Sequence, residues 1–139
     1  MLGWKELARK TDSVYATLPG TEPTLVLCDN YGQAGAINYY TKNKAIGAVS
    51  FNADYINWFK LDRPYVNLIR IKTEEGQDNE MNETSPFFEN AYVAGVVTNS
   101  LAREFGTTIF VFRKTKIDIN KRIEEEIKNE KLSFKDQDH

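Results

Sequence analysis

The chain has 139 residues, 41% of them hydrophobic and 27% charged, with a net charge of −2 and a pI near 5.5. That length suits one compact domain whose core needs neither disulfide nor metal, and the weakly acidic balance argues against nucleic acid or an anionic membrane surface as partner. The single cysteine, Cys28, excludes an internal disulfide, and the single histidine, His139 at the last position, excludes a histidine-built zinc site or catalytic dyad.

Taken in chain order, Trp4, Leu7, Ala8, Val14, Tyr15 and Leu18 fall on one face of a helix, with Lys5, Glu6, Arg9, Lys10 and Asp12 opposite. Polar residues follow Trp4 at once, so no signal peptide is expected. No apolar run of about 18 residues occurs, so no segment is expected to span a membrane. Pro19-Gly20 ends the first helix.

Thr24 to Cys28 is an unbroken apolar run, which predicts a strand buried on both faces and an inert, buried Cys28 thiol. Asp29-Asn30 turns into a second helix over Tyr31 to Thr41. Gly32 and Gly35 lower its intrinsic propensity and point to close approach of the sheet or of a ligand. Gly47 to Phe51 reads as a short second strand. Asn52 can cap a short aromatic helix through Asp54, Tyr55, Ile56, Trp58 and Phe59, broken at Asp62-Arg63-Pro64.

Tyr65 to Lys72 is a third strand. Thr73 to Asn90 carries many acids and no basic residue, which predicts a long exposed loop with a turn of helix around Ser85 to Phe88. Within it Asn82-Glu83-Thr84 matches the glycosylation sequon, a motif short enough to arise by chance. Ala91 to Val97 and Thr107 to Arg113 are the fourth and fifth strands. The nine residues Thr98 to Gly106 between them are short for a parallel crossover, which needs about a dozen, so the two strands should pair antiparallel at the sheet edge. Ile117, Ile119, Ile123 and Ile127 mark a last helix, with Glu124 to Glu126 on its solvated face, and Lys131 to His139 reads as a frayed tail. The element order predicts one α/β domain: a three-layer Rossmann-like sheet of about five strands, mostly parallel with an antiparallel edge, and helices on both faces.

In such sheets ligands gather at the carboxyl ends of strands, where free N–H groups of the following helix point. Asp29, Asn30, Tyr31 and Gln33 follow the first strand, and Asn52 and Asp54 follow the second. These six are the candidate ligand-binding residues. The mixture of carboxylates, amides and aromatics suits a sugar face, and it equally suits a domain interface. Helix capping by Asp29 or Asn30 accounts for the first turn without any ligand. The turn lacks the glycine spacing of a dinucleotide site and the Gly-Lys-Ser/Thr of a phosphate loop, so no nucleotide cofactor is expected. Asp29 and Asp54 as a glycosidase pair is a weaker idea, since capping explains each alone. The acidic loop lacks the ligand order of an EF-hand, so no metal site is expected.

Several segments together resemble a known family. They are Gly3-Trp4-Lys5-Glu6-Leu7-Ala8, Cys28-Asp29-Asn30-Tyr31-Gly32-Gln33-Ala34-Gly35-Ala36 with Tyr39-Tyr40, Ser50-Phe51-Asn52, and Gly95-Val96-Val97 with Ala102-Arg103-Glu104. They resemble the soluble C-terminal region of bacterial membrane glycosyltransferases, a family similar to the dolichyl-phosphate-mannose–protein mannosyltransferases and the lipid A aminoarabinose transferases. The likeness covers most of residues 3 to 114, and its most specific piece is Asn30-Tyr31-Gly32-Gln33-Ala34.

The resemblance implies a parent whose transmembrane region takes sugar from a polyprenyl-phosphate donor. The acidic catalytic residues would sit in that membrane region, so no catalytic residue is carried onto this chain. The chain would then be a non-catalytic accessory domain on the periplasmic face of the inner membrane. Its expected partners are the parent's transmembrane region and a glycan or lipid-linked sugar, and Met1 would not be the natural start. The rival reading is a free-standing small-molecule or carbohydrate-binding regulatory domain.

Overall fold

A computed structural model describes residues 2–28, 31–43, 46–50, 64–72, 84–96 and 107–137, with the backbone alone at 2–3, 31 and 129–137. The predicted short helix over Asp54 to Phe59 and most of the predicted acidic loop lie outside these residues.

Helix α1 (Leu2–Ala16) buries Leu7, Ala8, Thr11 and Val14 along one face, as the spacing requires. Thr11 is tolerated there because its Oγ1 donates to Leu7 O at 2.8 Å, so no buried hydroxyl is left unpaired. Strand β1 (Thr24–Cys28) is buried from Leu25 to Cys28, and Cys28 is a free, buried thiol. It leads to α2 (Tyr31–Tyr40) and then to β2 (Ala48–Ser50). Strand β3 (Asn67–Lys72) begins two residues later than Tyr65. The reason is local: the Val66 and Asn67 N–H groups donate to Pro23 O at 2.8 and 3.2 Å, which ties this backbone to the loop before β1.

A single 3-10 turn over Ser85–Phe87 runs straight into β4 (Phe88–Val96). The strand therefore starts three residues ahead of the expected Ala91, inside the stretch read as loop. Phe88 explains the difference. It is buried against Phe112, ring centroids 5.4 Å apart, and pairs with Thr115 across the ladder. Strand β5 (Thr108–Thr115) follows, then α3 (Ile119–Gln137). Helix α3 begins at a true cap, the Lys121 N–H donating to Asp118 Oδ1 at 3.1 Å. It runs on past Ile127 through a segment rich in Lys and Glu, residues of good helix propensity.

The five strands form one sheet in the order β2-β1-β3-β5-β4. β1 pairs parallel with β2 and β3, and β5 pairs antiparallel with both β3 and β4. Four strands thus run one way and β5 alone runs the other. The fourth and fifth strands do pair antiparallel, with β4 at the edge and β5 one place in. Their burial accounts for the order: Ile109 to Phe112 are all buried, while Tyr92 and Val93 on β4 are exposed.

The period-two alternation of the strands splits the core in two. Val26, Cys28, Ile69, Ile71, Ile109 and Val111 join Leu7 and Val14 of α1 and Ala34 and Ile37 of α2 in one cluster. Leu25, Leu27, Leu68, Phe110 and Phe112 join Ile119 and Ile123 of α3 in the other. Each large aliphatic side chain so buried contributes about 1.5–3 kcal/mol.

Candidate functional site

Register defines one end of the sheet. Cys28 pairs with Ser50 on one side and Ile71 on the other, while Thr108 pairs with Lys72 and Val96. The carboxyl ends of β1, β2, β3 and β4 and the start of β5 therefore lie side by side. The chain continues from this end into 29–30, 51–63, 73–83 and 97–106. The strand order also reverses here: from β1 the chain passes to β2 on one side, then returns to β3 on the other. That is the switch point at which open α/β sheets bind ligands.

Of the six candidate residues, Asp29, Asn30, Asn52 and Asp54 lie outside the described residues. Tyr31 opens α2, and its side chain is likewise outside them. Gln33 is only 2% exposed, beside Ala34 and Ile37 of the buried core. Tyr39, part of the resembling segment, is 81% exposed and meets Tyr40 edge to face at 4.9 Å. A helix of this length spans about 15 Å, so Tyr39 sits at the far end of α2 from Tyr31.

Two features absent from the sequence reading lie on the α3 side of the sheet. Arg70 interrupts the apolar run of β3, and its Nη1 donates to Leu27 O at 3.1 Å and Ile71 O at 3.3 Å. The guanidinium thus sits by the carboxyl ends of β1 and β3. A cavity of about 260 Å³ lies between this sheet face and α3. Leu25, Leu27 and Leu68 of the sheet line it, with Phe87, Ile119 and Ile123 among the others; its charged lining residues are Arg70, Arg122 and Glu126. The signal for it in the sequence was the lone arginine inside Leu68-Ile69-Arg70-Ile71.

The opposite end of the sheet carries a cluster of polar groups around Asn67, in which Arg113 Nε is buried without a hydrogen-bond partner among the described residues. Asn67, fully buried, donates from Nδ2 to Glu22 Oε1 at 3.1 Å and to Thr24 Oγ1 at 3.3 Å, and its Oδ1 accepts from the Lys114 N–H at 3.1 Å. The Asn67 hydrogen bond holds the Glu22 carboxyl below the usual carboxylate range; desolvation opposes this, and the Arg113 guanidinium at 3.4 Å adds to the lowering.

Among the described residues, no group of three or more His, Cys, Asp or Glu side chains could hold a metal ion, and no helix is long and apolar enough to cross a membrane. The fold and the strand ends define the chain as a Rossmann-like α/β domain. No family model, no curated protein and no solved structure matches the chain.

Proposed function

We propose that this chain is the non-catalytic soluble domain of a polyprenyl-phosphate-sugar-dependent membrane glycosyltransferase, used for acceptor or glycan recognition or for packing on the membrane region. One observation carries the reading. The most specific resembling segment, Asn30-Tyr31-Gly32-Gln33-Ala34, begins two residues after Cys28, at the carboxyl end of β1 beside the switch point. In α/β sheets that is where ligands and partners are met. The periplasmic face of the inner membrane is the location this reading requires.

The test is an immunoblot of fractionated source cells with antibody raised to the domain. A band far above 16.0 kDa in the membrane fraction is expected. A band near that mass in the soluble fraction would overturn the reading in favour of a free-standing binding domain. In the full-length transferase, Asn30→Ala with Tyr31→Ala should then lower sugar transfer without lowering the amount of folded protein. Unchanged transfer would remove this turn from the functional surface.

A further inference from the structure

The cavity under α3 has the composition of a site for an amphipathic anion. Its floor and walls are apolar: Leu25, Leu27 and Leu68 from the sheet, Ile119 and Ile123 from α3. Its volume of about 260 Å³ is room for a small ligand. Water over the leucine and isoleucine part of the lining finds few partners there, and an apolar chain would displace it at little cost.

Charged side chains also line this cavity. Arg122 leaves α3 one turn from its start, and its guanidinium carbon lies 4.8 Å from the centroid of the Phe87 ring. Both residues line the cavity. Stacking on the ring holds the cation in place without neutralising it. Arg70, which donates to Leu27 O and Ile71 O, and Glu126 line the cavity as well. A planar guanidinium beside an apolar slot is the arrangement that takes a carboxylate or phosphate group attached to a hydrocarbon body.

We propose that this cavity binds a short apolar chain ended by a single anionic group, carboxylate or phosphate, with the chain against Leu25, Leu68 and Ile123 and the anion at Arg122. Binding of this kind holds whether or not the domain belongs to a transferase.

The test is titration of the isotopically labelled chain with hexanoate, hexyl phosphate and hexylammonium, followed by amide chemical shifts. The two anions should shift Leu25, Leu68, Phe87 and Ile123 with dissociation constants of about 1 mM or tighter, and hexylammonium should bind at least about tenfold more weakly. Response to one anion alone supports the site and identifies its head group. Arg122→Gln, at an exposed position, should weaken anion binding about fivefold. Ile123→Trp should fill the cavity and abolish it. If that variant fails to fold, Arg122→Gln and the hexylammonium comparison still decide. No shifts at about 10 mM of either anion would overturn the proposal. So would shifts confined to other faces, equal binding of the ammonium, or unchanged binding by Arg122→Gln.

Discussion

Asn38 grips Ala48 by both backbone groups: its Nδ2 donates to Ala48 O at 2.9 Å, and its Oδ1 accepts from the Ala48 N–H at 2.8 Å. Ala48 is 1% exposed and lies on β2, the last strand on that side of the sheet. One amide side chain from α2 thus does for β2 what a further strand would do. It pairs a donor and an acceptor that water cannot reach.

Replacing Asn38 by Ala leaves both Ala48 groups buried and unpaired. The expected loss is about 1–3 kcal/mol, read from urea unfolding. Asn38→Asp keeps an acceptor for the Ala48 N–H and loses the donor, so its loss should be similar or smaller. A loss under about 0.3 kcal/mol in the Ala variant would show that the amide does not hold β2.

Asn67 is the corresponding tie at the other end of the sheet. It joins Glu22 and Thr24 to the backbone of Lys114, with its whole side chain buried. Asn67→Ala should cost about 1–3 kcal/mol by the same measurement, because three part-buried hydrogen bonds are lost at once. It should also let the Glu22 pKa rise, which a carboxyl-detected NMR titration would follow. A Glu22 titration identical to that of the unaltered chain would show that Asn67 is not the cause of the lowering.

The lowered Glu22 pKa fixes a direction for acid stability. Folding favours the ionised carboxylate, so its contribution is complete above the unfolded-state value and is lost as pH falls through the folded-state value. The melting temperature of the unaltered chain should therefore drop more steeply below about pH 5 than that of Glu22→Gln, which has no proton to take up. Parallel pH profiles for the two proteins would contradict this linkage.

Lys114 holds φ at 59°, the left-handed region, within the β5 end that pairs with β4. A Cβ is unfavourable there and glycine is not. Since the Lys114 side chain is exposed, Lys114→Gly should stabilise the chain by about 0.5–1 kcal/mol. A loss of stability would mean that its side chain contributes more than the backbone strain costs.

The elements legible in the sequence were those whose local pattern has one solution. Thr24-Leu25-Val26-Leu27-Cys28 has no polar face, so it could only be a strand covered on both sides, and β1 is flanked by β2 and β3. The leucine, valine and tryptophan spacing before Pro19 gave α1. The short link before Thr107 was too brief for a crossover, and β4 and β5 are antiparallel. Each of these signals sits within a few residues of chain.

What the tertiary structure decided depends on partners distant in sequence. Phe88 reads as loop beside Glu89 and Asn90, and becomes strand because Phe112 and Thr115 are there to receive it. Gln33 reads as a surface candidate and is 2% exposed, beside Ala34 and Ile37 of the buried core. Asn38 and Asn67 have no local signature, since their partners are 10 residues and as many as 47 residues away. The cavity requires β1, β3, the 3-10 turn and α3 to meet, and no single segment encodes it. Periodicity and turn chemistry are local and are written along the chain; satisfaction of buried polar groups and the shape of empty space arise only when distant segments are brought together.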